Sequence, residues 1–223
     1  MKDNKFTTLV KALKNYGVLE TCKLIISYLK ARKGKILILF ALAKPLPSNR
    51  ARENAKGHTF KFASLEELEK IRIDLSHDLD NQPSKNDIDL VRSGKARCML
   101  QLDGDKLAGY TWVWNSHLAY IIQGFHLNLP DDTLYNFKGY TPKEYRGFGF
   151  QSIRHLKLLD LLKVEGVNRL FGYVDQINPR SLHGVRKSGY KKVGVLKVFD
   201  ARNEKIQFNL TLDKTFWVEK ARM

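Results

Sequence analysis

Residues 133–174 read as an extended run, an arginine–glycine turn, a helical run and a second extended run, and no other feature of the 223-residue chain restricts its fold as much. The helical run, SIRHLKLLDLLKVEG, carries apolar residues at Ile153, Leu156, Leu158, Leu159, Leu161 and Leu162. It stops at Gly166, a residue suited to the left-handed turn that ends many helices. The strand after it, NRLFGYV, leads into a short helix that can start at Pro179 and stop at Gly189. A strand–helix–strand unit of this kind places two strands in one sheet with a right-handed crossover.

Upstream, HTFKFAS alternates as a strand does, and Ser64 followed by Glu67 is capping-box spacing in front of LEELEKIRIDL. Residues 78–86 are polar and turn-rich. ARCMLQL and KLAGYTWVWN, separated by DGD, predict a hairpin, and residues 118–127 and 133–140 predict further extended runs. YKKVGVLKVFD and EKIQFNLTL close a final hairpin. This order predicts an α+β, or mixed α/β, domain whose central, mostly antiparallel sheet is flanked by helices.

Charge divides the chain. Of a net +16, residues 1–56 supply 13 Lys or Arg against 3 Asp or Glu. Spaced apolar positions at Leu9, Val10, Leu13, Leu24, Ile25, Tyr28 and Leu29 predict basic amphipathic helices over residues 7–32. The stretch KPLPSNRARENAKG, with two prolines, predicts a linker or long loop. The expected division is therefore a basic N-terminal helical or extended segment with linker at 1–56, and a folded domain at 57–223. The eight-residue apolar run ILILFALA falls short of the ~20 residues that span a bilayer. It also follows too many polar residues for a secretory signal, so a cytoplasmic protein is expected, with the basic segment available to an anionic membrane surface. Cys22 and Cys98 lack CxxC spacing and the six histidines lack HExxH spacing, so neither a disulfide framework nor a metal is expected. Only Phe6, Tyr16, Tyr28 and Phe40 are interleaved with the basic residues of the first 56, a weak basis for nucleic-acid binding.

The chemistry concentrates in YTPKEYRGFGFQ, residues 140–151. Arg146, Gly147, Phe148 and Gly149 stand where a strand passes into a helix. A helix N-terminus has backbone N–H groups without internal partners and a positive dipole, and glycine lets an anion approach them closely. The stretch is neither a Walker loop nor a dinucleotide fingerprint, because it lacks GxxxxGK[ST] and a third glycine. Downstream, the strand LFGYV is followed by Asn178, Ser181, Gly189 and Tyr190. In this order the residues resemble the GNAT superfamily of acyl-CoA-dependent N-acyltransferases over roughly residues 59–198. PKEYRGFG is similar to the family's acyl-donor loop, Asn178 through Gly189-Tyr190 is similar to the segment after its next strand, and HTFKFASLEELEKI is similar to its opening strand and helix.

The resemblance implies a GNAT-like sheet and acetyl-CoA or another acyl-CoA as co-substrate. The coenzyme would be bound by Tyr140, Thr141, Arg146, Gly147, Phe148, Gly149, Phe150, Gln151, Asn178 and Ser181. It further implies direct attack of a small-molecule primary amine on the thioester between splayed strands. A backbone N–H within 139–141 would polarise the carbonyl. Two departures stand out: Gln151 occupies the last small-residue position of the RxxGxG loop, and Val185 stands where many members carry a tyrosine that protonates the thiolate. Proton handling is therefore assigned to His126, His183 or Tyr140, with Tyr135, Asp175, Ser181 and Ser188 as further polar groups of the cleft. The aromatic block Trp112, Trp114, His117, Tyr120, Phe125 and His126 reads as sheet core or as an acceptor surface. Alternatives are transfer of a long acyl chain from an acyl carrier protein docked on the basic segment, and binding of coenzyme A or a polyanion without turnover. A homodimer is compatible with all of these.

Overall fold

The computed structural model describes residues 35–76, 78, 81–122, 125–200 and 206–213, so the helices expected over residues 7–32 lie outside the described residues. The chain runs through β1 (Lys35–Leu42), α1 (Asn49–Asn54), β2 (Thr59–Phe62), α2 (Leu65–Asp74), α3 (Lys85–Arg92), β3 (Ala96–Asp103), β4 (Lys106–Trp114) and β5 (Leu118–Ile122). It continues through β6 (Phe125–Asn128), β7 (Thr133–Tyr140), α4 (Phe150–Leu162), β8 (Arg169–Asp175), α5 (Pro179–Lys187), β9 (Lys191–Asp200) and β10 (Ile206–Leu212). Eight strands form one sheet in the order β10-β9-β1-β8-β7-β4-β3-β2, and β5 pairs with β6 as a separate hairpin. Neighbours in the large sheet are antiparallel except β7 and β8, which are parallel and joined through α4. This is the mixed α/β, mostly antiparallel architecture flanked by helices that the residue order predicts.

One strand comes from the segment set apart as the N-terminal extension. Residues 36–43, weighed above only as too short to span a membrane, lie almost entirely in β1, between β8 and β9, so the sheet begins well before residue 57. The reason lies in period-two alternation. Leu37, Leu39 and Ala41 enter the core on one face of the sheet, while Phe40 and Leu42 enter it on the other. A strand covered on both faces shows a continuous apolar run instead of alternation with polar residues, and its strand character is hidden for that reason.

The two faces are covered by different elements. On one, Leu158, Leu159 and Leu162 of α4 and Val185 of α5 pack on Phe40, Leu134 and Leu170. On the other, the β5–β6 hairpin brings Ala119, Ile121 and Leu127 onto Leu39, Tyr135 and Phe171. Residues 118–127 thus form two short strands around residues 123–124 instead of one extended run. At the β2 end, α2 and α3 pack Leu68, Ile71 and Ile88 against Leu100, Tyr110 and Trp112. The predicted capping box of α2 is present: Glu67 N–H donates to Ser64 Oγ at 3.1 Å and Ser64 N–H donates to Glu67 Oε2 at 3.0 Å. Helix α3 begins inside the stretch read as turn-rich. It is short and strongly polar, and is held by its own capping box at Ser84 and by Lys138 Nζ donating to Asp87 Oδ2 at 2.7 Å.

Candidate active site

Strands β7 and β8 pair only at Thr133–Arg169, Leu134–Leu170 and Tyr135–Phe171, and beyond Tyr135 they part. On the other side of β7 the register against β4 shifts between Trp112 and Val113, so Phe137 is the extra residue of a bulge. Bulges turn a strand and re-aim its side chains, and this one coincides with the start of the splay. Chain leaving β7 makes a short 3-10 turn at Lys143–Tyr145 and enters α4 through Gly147 and Gly149, at φ +86° and +77°. Only glycine adopts that left-handed pair without strain. Among the described residues, the backbone N–H groups of residues 147–151 donate to no protein acceptor, and nothing lies within 4 Å of where a Cβ on Gly147 would be.

The residues that carry these groups line a cavity of about 740 Å³. Its far wall is α5, and its basic lining residues are Arg50, Arg146, Arg180, His183 and Lys187, with no carboxylate among the lining side chains. Arg146 is held in place by its Nε donating to the Thr141 carbonyl at 2.9 Å. The connection from β1 to α1 completes the rim with Leu46, Ser48 and Arg50. It is fastened to both loops: Leu46 N–H donates to the Ser188 carbonyl at 3.1 Å, and a Cβ on Gly149 would sit 3.0 Å from Ala51 Cβ. The stretch read as a linker is therefore part of the cavity wall.

A second cavity, of about 230 Å³, opens at the splay between β4, β7, β8 and the helices α4 and α5. Thr141, Gln151 and Ser181 line both cavities. Gln151 Oε1 lies 3.1 Å from where a Cβ on Gly184 would be, so this side chain sits between α4 and α5 at the junction of the two spaces. Arg154 and His155 line the inner cavity and are 2% and 3% exposed. Burial lowers Arg154 to about 10, which leaves it cationic at neutral pH. Burial, with Arg154 adjacent, lowers His155 to about 3, so its ring is neutral.

This histidine links stability to pH. Its folded-state pKa lies below the ordinary histidine value, so the unfolded chain takes up a proton that the folded chain refuses, and stability falls as pH drops below the unfolded value. Between about pH 6.5 and about pH 4.5 the expected loss is about 2 kcal/mol from this one group. Urea midpoints for wild type and H155L check it: the variant's stability should fall less over that interval by about that amount.

The structure brings together most of the residues singled out in the sequence. Thr141, Arg146, Gly147, Phe148, Gly149, Phe150, Gln151 and Ser181 all line the larger cavity, and so does His183. Three others are placed elsewhere. Tyr140 turns into the core beside Tyr110, with ring centroids 5.4 Å apart, because β7 alternates and Thr141 takes the cavity side. Asn178 caps α5, its Oδ1 accepting from Ser181 N–H at 3.0 Å. His126 is exposed on β6 opposite Tyr120, away from both cavities. Ser188 Oγ donates to the Gly184 carbonyl at 2.9 Å, and Trp112 is fully buried. Arg154 and His155 were not picked out. Their signal is helical spacing: each precedes a buried leucine, Leu158 and Leu159, by four residues, which puts both on the inward stripe of α4.

No family model matches the chain, and no curated protein matches it in sequence. Several solved structures are similar to the chain over part of its length. An aminoglycoside acetyltransferase from an uncultured soil metagenomic sample is 13% identical, with 70% of this chain and 97% of that chain covered and a TM-score of 0.46. A spermidine N-acetyltransferase chimera that includes the Vibrio cholerae protein is 14% identical, covering 72% of this chain and 98% of that chain, with a TM-score of 0.46. A putative acetyltransferase of the GNAT family from Novosphingobium aromaticivorans is 12% identical, covering 74% and 63%, with a TM-score of 0.48. Substrates in these names are those of the named proteins. Among the described residues, no group of three or more His, Cys, Asp or Glu side chains is placed to hold a metal ion, and no helix is long and apolar enough to cross a membrane.

Proposed function

We propose that the protein is an acyl-CoA-dependent N-acyltransferase of the GNAT type, transferring a short acyl group to a primary amine. The observation that carries this reading is the coincidence, at one place, of the splayed β7–β8 pair and the cavity-lining residues 147–151, whose backbone N–H groups have no protein acceptor among the described residues. Pyrophosphate takes the N–H groups at the start of α4, with Arg50, Arg146, Arg180 and Lys187 supplying opposite charge around it. The pantetheine arm then runs past Thr141, Gln151 and Ser181 toward the splay, where the strands no longer occupy each other's backbone groups. A β7 N–H within 139–141 polarises the thioester carbonyl, and the neutral amine attacks it directly. The carbonyl–sulfur bond breaks as the carbon–nitrogen bond forms, the attacking nitrogen gives up one proton to a base of the cleft, and the thiolate takes one up.

Val185 is buried and lines the inner cavity, so it has no proton to give. Ser181 lines both cavities and is the hydroxyl assigned here to the thiolate, while Ser188 Oγ is engaged with the Gly184 carbonyl. Among the side chains assigned to proton handling, His183 lines the donor cavity. The inner cavity, with its threonine, asparagine, glutamine, arginine and histidine lining, favours a short acyl group over a long hydrocarbon chain, which would strip water from those polar groups without replacing it. Calorimetric titration with acetyl-CoA is the test of the donor assignment. Release of free thiol on adding a panel of primary amines tests turnover, and binding without release would leave a coenzyme A-binding protein in place of an enzyme.

A further inference from the structure

Arg154 is a buried cation without an anion. Its Nη1 donates to Gln101 Oε1 at 3.0 Å and its Nη2 to Thr141 Oγ1 at 2.6 Å, both neutral acceptors. Its Nε has no partner, and no carboxylate among the described residues forms an ion pair with it. His155 beside it also has an unpartnered, buried Nδ1. Leaving a full charge buried and half-satisfied is costly, because desolvation is not returned by any Coulomb attraction. Natural interiors keep such groups where something else completes them. The position is also fixed from the other side. Gly109 leaves room for the guanidinium, since a Cβ there would collide with it and would lie 2.6 Å from the Tyr140 carbonyl oxygen. Strand β4 has thus given up a side chain to let the guanidinium lie on its backbone.

Arg154 lines the inner cavity, together with Asn136, Thr111 and Gln151. We propose that this cavity is a carboxylate site: a small carboxylate, carried either by the acyl group or by the amine acceptor, pairs with Arg154 next to the splay of β7 and β8. The assignment of substrate class rests on the acyl-transfer reading above, whereas the anion site itself does not. Arginine presents paired donors in one plane and suits a carboxylate for that reason, and a cavity of about 230 Å³ admits only a small group. An acetyl group alone would leave the charge unmatched. A dicarboxylic acyl group such as succinyl, or an amino acid as acceptor, would match it.

Two comparisons on the full chain separate the sources. In calorimetry, succinyl-CoA is set against butyryl-CoA; in thiol release from acetyl-CoA, β-alanine is set against β-alaninamide. One of the two pairs should favour the carboxylate by roughly tenfold to a hundredfold, the range of one charged hydrogen-bonded contact. A preference in the first pair places the carboxylate on the donor, and one in the second places it on the acceptor. In R154M the preference should collapse toward one. Equal behaviour of both pairs in wild type overturns the proposal, whether or not R154M folds. Should neither thioester bind, the acyl-transfer reading fails by itself, and free succinate against succinamide still tests the cavity. Succinate alone should raise the melting temperature of wild type and not that of R154M, and equal shifts from the two compounds overturn the anion site.

Discussion

Gly149→Asp is expected to abolish the coenzyme A binding proposed above while leaving the fold in place. Three effects of that substitution act in one direction. The position sits at φ +77°, where a side chain is strained, and the new Cβ would press on Ala51 Cβ at 3.0 Å. The new carboxylate would also stand at the positive end of α4, among the N–H groups and cations assigned to the pyrophosphate, and would compete with it. A fall in affinity of at least about a hundredfold is expected, equivalent to about 2.7 kcal/mol. Calorimetry reads it directly. Gly149→Ala separates the contributions, since it retains the strain and the Ala51 contact without the charge and should lose less. Unchanged affinity in the aspartate variant would remove the glycine loop from the donor site.

The second large effect is on stability. Gly109→Ala should cost more than about 3 kcal/mol, an unusually large figure for adding one methyl group. The added carbon has no free volume to enter: the Tyr140 carbonyl oxygen is 2.6 Å away and belongs to the paired neighbouring strand, and the Arg154 guanidinium fills the remaining space. Displacing the guanidinium would break its bonds to Gln101 and Thr141 and leave a buried charge with fewer partners still. The urea midpoint should fall sharply with little change in slope. A midpoint within experimental error of wild type would mean that β4 and α4 can move apart more easily than their packing implies.

How much of this was legible in the sequence follows from how locally each feature is specified. Capping at Ser64, the DGD hairpin, the glycine turn at Gly147 and Gly149 before α4 and the Gly166 stop all depend on neighbours in sequence, and each stands in the structure where the residues predict it. Features that depend on distant partners were harder to read. Strand β1 was hidden because both of its faces are covered, one by the β5–β6 hairpin and one by α4, and neither cover adjoins it in sequence. Tyr140 looked available because its neighbours in the motif are available, and only strand alternation against β4 turns it inward. Asn178 has the right type and place for a ligand contact, yet its amide oxygen is engaged by the helix it begins. Arg154 was the least legible, since a basic residue on a helix usually faces water, and its burial depends on a glycine in another strand.

The central position of β1 also bears on how the chain is made. Its two partners, β8 (Arg169–Asp175) and β9 (Lys191–Asp200), lie far downstream of it, so an apolar strand emerges and waits while the long intervening stretch is synthesised before its backbone groups can pair. Contacts separated so widely along the chain slow folding, and an unpaired apolar strand invites other chains to pair with it meanwhile. Productive folding of this protein should therefore depend on chaperones that shield its N-terminal third during synthesis, and refolding from denaturant should become less efficient as protein concentration rises.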